Sequence, residues 1–314
     1  VSLGSWLEEP LPVIRLELLR IVAPLTVLGF MSGRLIHIDE WVGENGFHVP
    51  DLGGDWRQPL YIAPLPRSLA WGLALLMVGS GLAFSLGYRS RASGLVFAAT
   101  LAFVALGDRL AAFTVSKMSP VVMVAIAVGP AGSRLGLDAW RRRRRTGKRS
   151  KKLRPMPNLR FLQLLPVVIY SASGIAKARG DWLRIWNVLW TQLHDTYQTA
   201  VSFALAVHMP SWSWPIMQAM VLTFELGAPL WFGMKRTRGV AFVFGLGMHA
   251  MIGLMFGPVV WFALLMMTLL LGGWAPDAWF LPLDKLTDRL MRRARAREAR
   301  LELEDEDDAG EHAT

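Results

Sequence analysis

The sequence predicts an all-α integral membrane protein: a polytopic bundle of about eight transmembrane helices with an amphipathic segment on its outer side. Three observations carry this. Of the 314 residues, 53% are hydrophobic and 18% are charged, and the mean hydropathy is +0.34. The apolar residues gather in long blocks rather than at helical or strand spacing. A backbone in hydrocarbon must satisfy its own hydrogen bonds, which takes about 20 mostly apolar residues per crossing helix. Finally, the lysines and arginines, in excess by a formal +10, cluster between the blocks.

The first span, Leu11–Met31, follows Glu8 and Glu9 instead of lysines, and no small-residue cleavage site lies behind it. It reads as a retained helix, not a signal peptide. The stretch from Ser32 to Arg67 holds Trp41, Gly43, Gly46, Pro50, Gly53, Gly54, Pro59, Pro64 and Pro66, a density that makes an irregular loop over one mouth of the bundle. The remaining spans are Ser68–Leu86, Ser93–Ala112, Met118–Gly132, Phe161–Ala176, Pro215–Gly233, Val240–Phe256 and Val259–Gly273. The fourth, fifth and last spans in chain order are short for a crossing, which leaves their ends open by several residues.

Basic residues set the expected orientation. Arg89 and Arg91, the run from Arg141 to Arg154, the group Lys235, Arg236 and Arg238, and the cluster from Arg289 to Arg300 all lie on one side if the number of spans is even. That side is the cytoplasm, so both termini are expected there, in a multi-pass protein of the inner (plasma) membrane. Asn187–His208 contains Gln192, His194, Asp195 and Gln198, and as a ninth span it would place the later basic clusters outside. It reads as an amphipathic or re-entrant piece at the outer surface, with a bent ninth span as the alternative. Residues 1–280 form the membrane domain, and 281–314 a basic surface helix resting on anionic headgroups followed by an acidic, disordered tail.

The same composition excludes several functions. Nucleic-acid binding needs a soluble basic face, and the basic residues here flank spans instead. Cysteine is absent, which removes disulfides, thiolate nucleophiles and cysteine metal sites, and no metal is expected. Ionisable residues inside spans are costly, about 2.5–3.5 kcal/mol each on insertion scales, and each is a functional candidate. Glu17 and Arg20 are spaced to pair on one face, with Arg15 nearby. Asp108 and Arg109 need partners on other helices or a wet pocket. Glu225 lies mid-span, roughly 15 Å from either end. His249 sits on a glycine-rich run, either packed across a helix interface or active. Lys177 closes the fifth span, either snorkelling to the headgroups or held for chemistry.

The segment Tyr170-Ser-Ala-Ser-Gly174-Ile-Ala-Lys177-Ala-Arg-Gly180-Asp-Trp182 resembles the most recognisable motif of the HTTM family, the horizontally transferred transmembrane domain shared by vitamin K-dependent gamma-carboxylases and many bacterial proteins. Arg20, the Gly43–Pro50 stretch, Gly87-Tyr88-Arg89-Ser90-Arg91, Leu135-Gly136-Leu137-Asp138, Glu225 with Pro229, and His249 are similar to further pieces of that family in its order. The resemblance implies a carboxylase-like, quinol- or lipid-linked activity in an extracytoplasmic-facing pocket. Lys177 would be the base that deprotonates a reduced, vitamin K-like quinone. Glu225 and His249 would position substrate or relay protons, and Tyr170, Gly174 and Trp182 would hold the cofactor. An apolar surrounding favours the neutral amine that such a base requires. Expected partners are membrane lipids and a quinone or lipid-linked substrate. The alternative is a non-catalytic transporter or partner subunit that retains the bundle.

Overall fold

The computed structural model describes residues 3–46, 62–107, 113–147, 150–194 and 198–280, with positions 282, 283, 285, 286 and 289. The expected pair Asp108 and Arg109, residue Asp195, positions 47–61 of the glycine- and proline-rich loop, most of the basic helix and all of the acidic tail lie outside the described residues.

In chain order the elements are α1 (Leu3–Glu8), β1 (Pro10–Pro12), α2 (Val13–Ile36), α3 (Ile38–Trp41), α4 (Arg67–Leu86), α5 (Ser90–Gly107), α6 (Thr114–Val128), α7 (Leu137–Thr146), β2 (Leu153–Pro155), α8 (Pro157–Arg179), α9 (Val188–Gln192), α10 (Ala200–His208), α11 (Ser213–Gly233), α12 (Arg238–Met255) and α13 (Val260–Trp274). Among the described residues the fold is all-α apart from one small ribbon, in which β1 and β2 pair antiparallel with Leu11 opposite Arg154. Among these residues, six helices are long and apolar enough to cross a membrane: α4, α5, α8, α11, α12 and the stretch Gly257–Trp274. Of the other two expected spans, α6 has 15 residues. The 24-residue α2 is packed by α4, α6 and α13. Several helices outrun their apolar blocks: α2 continues to Ile36 and α8 to Arg179. A polar residue ends the hydrocarbon contact without breaking the backbone hydrogen-bond ladder, so the helix goes on.

The charges of α2 are spent on the ends of its neighbours. Buried Arg15 donates to the carbonyls of Gly272 at 3.1 Å and Ala275 at 2.5 Å, where α13 leaves its last acceptors unpaired. Arg20 donates to Phe84 O at 2.8 Å and Ser85 O at 2.5 Å at the end of α4. Glu17 holds Arg20 Nε at 3.3 Å, as expected from the spacing, and also accepts from the backbone N–H groups of Gly132 and Arg134 at 2.9 and 2.7 Å.

Two pieces of sequence far apart in the chain dock here. Asp138 accepts from Arg89 N, Ser90 N and Ser90 Oγ at 2.7–2.8 Å, capping the start of α5. Its own N–H donates to Gly87 O at 2.8 Å. Gly87 at φ 71° and Gly136 at φ 94° make the contact, since a Cβ on Gly136 would stand 2.7 Å from Leu86 O.

The segment between α8 and α11 forms two short helices of 5 and 9 residues, α9 and α10, and neither is long enough to cross. Leu189 and Leu193 of this segment pack on Trp214 and Met255. A reciprocal capping box between Thr199 and Ser202 starts α10, and Thr199 Oγ1 also donates to Leu254 O at 2.7 Å, tying the segment to the end of α12. The residues from Pro276 onward separate as a second unit, whose described part includes a 3₁₀ turn at Asp277–Trp279.

Candidate functional site

Tyr170, Gly174 and Lys177 recur at four- and three-residue spacing on α8, and so share one face. That face meets α11. A Cβ on Gly174 would lie 2.9 Å from the backbone nitrogen of Leu226 and 3.0 Å from Glu225 Cβ. The glycine therefore lets the two helix backbones close on each other directly at Glu225. One turn further on, Lys177 reaches across, with its Nζ 2.5 Å from Glu225 Oε1. The lysine side chain is 25% exposed and the glutamate 6%, so the pair is open to its surroundings from the lysine side only.

Trp182 completes the head of the site. It lies in a 3₁₀ turn just after α8, with its ring centroid 4.5 Å from Lys177 Nζ, a cation–π distance. The turn is pinned by Gln218 of α11, whose Nε2 donates to Trp182 O at 2.7 Å and Ile185 O at 2.9 Å while Oε1 accepts from Leu189 N at 3.3 Å. Gln218 sits two turns before Glu225 on the same face, and a lone amide inside an apolar run was the sequence signal that could have found it.

Lys177 and Trp182 line a cavity of about 410 Å³ whose walls are otherwise mostly apolar, with Phe244 and five methionines: Met217, Met220, Met248, Met251 and Met255. The volume is in the range of about 300–1,000 Å³ usual for small-molecule sites. Methionine walls adapt to flat or irregular ligands. Met220 and Phe244 also line a second apolar hollow of about 580 Å³ that follows α11 and α12 toward Trp231 and Arg236. The two share these residues as a wall and lie beside one another along the helix pair.

The other expected residues fall behind this cavity. Tyr170 and His249 are both buried, and the tyrosine hydroxyl lies 2.8 Å from His249 Nε2. Phe224 packs edge-on against Tyr170 at 5.1 Å and Phe262 against His249 at 5.5 Å. Gly174 holds α11 and leaves no room for a flat ring; its slim backbone is used by Glu225 and Leu226 instead. On α12 the glycines divide: Gly245 faces Leu270, Phe224 and Tyr170, Gly253 faces Ala263, and Gly247 is open and lines the cavity. Two buried polar atoms, Glu225 Oε2 and His249 Nδ1, have no hydrogen-bond partner among the described residues. No group of three or more metal-ligating side chains occurs among the described residues.

The arrangement can hold a flat apolar ring against Trp182 and the methionines, with one polar substituent at Lys177. It also offers a proton donor and acceptor in direct contact. Comparisons with curated proteins and with solved structures return no match. A family model described as the HTTM domain matches residues 24–274, a stretch that contains α4 to α13, the Lys177–Glu225 pair and its cavity, and the chain belongs to the HTTM-domain family of membrane proteins.

Proposed function

We propose that this HTTM-domain protein carries out quinol- or lipid-linked, carboxylase-like chemistry, with the polar head of its ligand at Lys177 and the apolar tail along α11 and α12. The observation that carries the reading is the Lys177–Glu225 pair at the head of an otherwise apolar cavity. An ammonium is not a base. At 2.5 Å, however, Lys177 can hand its proton to the Glu225 carboxylate and take one from a ligand hydroxyl, so that the two residues act as one proton acceptor and the single positive charge the pair gains is balanced by the ligand oxyanion. A reduced quinone supplies such a hydroxyl and the reducing equivalents. Trp182 orients the ring, and the methionines exclude water.

The completeness of the ion pair also favours a second reading, a binding or transport bundle in which Lys177 and Glu225 only neutralise each other. Lys177→Arg separates the two, since arginine keeps the charge and the pair but accepts no proton. On the catalytic reading it abolishes turnover of a reduced naphthoquinone in detergent-solubilised protein while yield and thermal stability hold. Full turnover in Lys177→Arg overturns the base role, and equal loss of yield in Lys177→Arg and Lys177→Ala assigns Lys177 to holding the bundle.

In the proposed orientation both termini and the arginine-rich α7 face the cytoplasm in the plasma membrane, and Lys177 opens to the other side. Reporter fusions after Arg145 and after Arg300 then give a cytoplasmic signal, and one within Trp41–Asp55 an external signal. An external signal at Arg145 reverses the assignment.

A further inference from the structure

At the end of the bundle opposite Lys177, about 25 Å away along α8, a cavity of about 700 Å³ opens beside Arg160, Lys235 and Arg238, with Trp6, Trp274 and Glu9 around them. It differs in kind from the methionine-lined site. Three cations face a single carboxylate. Arg160 is buried, with 6% of its side chain exposed, while its partner Glu9, at 2.6 Å, is 64% exposed. A buried guanidinium held by a surface carboxylate marks where an anionic oxygen sits, and an exposed carboxylate is one that another anion can reach and replace. Arg160 Nε has no hydrogen-bond partner among the described residues. The two arginines are also held on indole faces, Arg160 at 4.7 Å from Trp6 and Arg238 at 5.2 Å from Trp274. Trp274 is itself fixed by donating from Nε1 to Gln163 O at 2.9 Å. The two arginines are thus pre-positioned.

We propose that this cavity binds the phosphodiester headgroup of an anionic membrane phospholipid. The choice between a lipid and a free phosphate rests on the wall. Beyond the cations the lining continues through Leu164, Val167, Pro229 and Phe232, roughly 10 Å further into the bundle from Arg160 to Val167. A soluble phosphate has no use for that wall, whereas the first carbons of an acyl chain do. With Glu9 displaced, three cations of the lining face no carboxylate, and a phosphodiester returns one negative charge to them. In the proposed orientation the site belongs to the cytoplasmic leaflet, the one with anionic lipid. It stands independently of any chemistry at Lys177.

The test uses the full chain in a neutral detergent, with phosphatidylglycerol, phosphatidylcholine or inorganic phosphate added, read by native mass spectrometry and by the thermal transition. The expected result is selective retention of phosphatidylglycerol with an upward thermal shift, and no shift from millimolar inorganic phosphate. Arg238→Gln and Arg160→Gln weaken retention by about tenfold or more, the scale of one charge-assisted hydrogen bond. Glu9→Gln strengthens it by removing the competing carboxylate. Should Arg160→Gln fail to fold, the opposed effects of Arg238→Gln and Glu9→Gln carry the test. Equal retention of the two lipids overturns the proposal, as does a folded Arg238→Gln variant that binds like the parent. A shift from inorganic phosphate as large as that from phosphatidylglycerol overturns the assignment to lipid.

Discussion

Lys177 Nζ and Glu225 Oε1 lie 2.5 Å apart because Gly174, one turn earlier, removes the side chain that would hold α8 and α11 apart. The ion pair is therefore a product of helix packing: the closer the backbones approach, the shorter the reach of the lysine.

Removing one partner of this pair leaves the other as an uncompensated charge. Glu225→Leu and Lys177→Leu each lower the thermal transition, with Lys177→Leu the worse because it strands the more deeply buried group. The cost of breaking a buried pair runs to about 3–5 kcal/mol, and is reduced here by the partial exposure of Lys177. The double variant Lys177→Leu/Glu225→Leu recovers most of the loss. A double variant as unstable as the sum of the singles would show that the two side chains do not act as a unit.

Gly174→Ala tests the helix approach itself. The added methyl meets the backbone nitrogen of Leu226 at 2.9 Å, which cannot turn aside as a flexible side chain can. Overpacking of this kind costs about 1–3 kcal/mol, and Gly174→Val costs more than Gly174→Ala. Thermal melts of both variants, beside a control at Gly247 where a Cβ meets nothing within 4 Å, measure the difference.

Tyr170→Phe takes the hydroxyl from His249 Nε2 and leaves both ring nitrogens of a buried histidine without a partner. The expected destabilisation is about 1–3 kcal/mol. Adding His249→Phe to Tyr170→Phe restores part of it, because no polar ring then remains to be satisfied. A double-mutant cycle by chemical or thermal unfolding reads the coupling, and a coupling of zero would contradict the contact.

Asp138→Ala removes three hydrogen bonds at the start of α5 and leaves the backbone bond from residue 138 to Gly87 O in place. The loss expected for a helix cap is about 0.5–2 kcal/mol. Asp138→Asn, which keeps one acceptor oxygen, falls between the parent and Asp138→Ala. Equal melting of all three would show that α5 is held by its apolar packing alone.

The sequence by itself determined the solvent this chain folds in, its helical class and which residues carry unusual cost. Long apolar blocks leave the backbone no other way to satisfy its hydrogen bonds. It also pointed to the pairing of Glu17 with Arg20, which three-residue spacing on one helix makes local. Tertiary structure alone decided the rest. Gln218 pins the turn that carries Trp182, Gly174 serves a neighbouring helix instead of a ligand, and Tyr170 closes on His249 behind the cavity instead of within it. Arg15 and Arg160, both near the starts of helices, differ only in their surroundings: Arg15 donates to carbonyls at the end of α13, while Arg160 lines an open cavity. Hydropathy reads one residue at a time along one helix. Which faces meet, and which leave a hollow between them, depends on side-chain volumes from helices far apart in the chain, and no periodicity in a single segment records that.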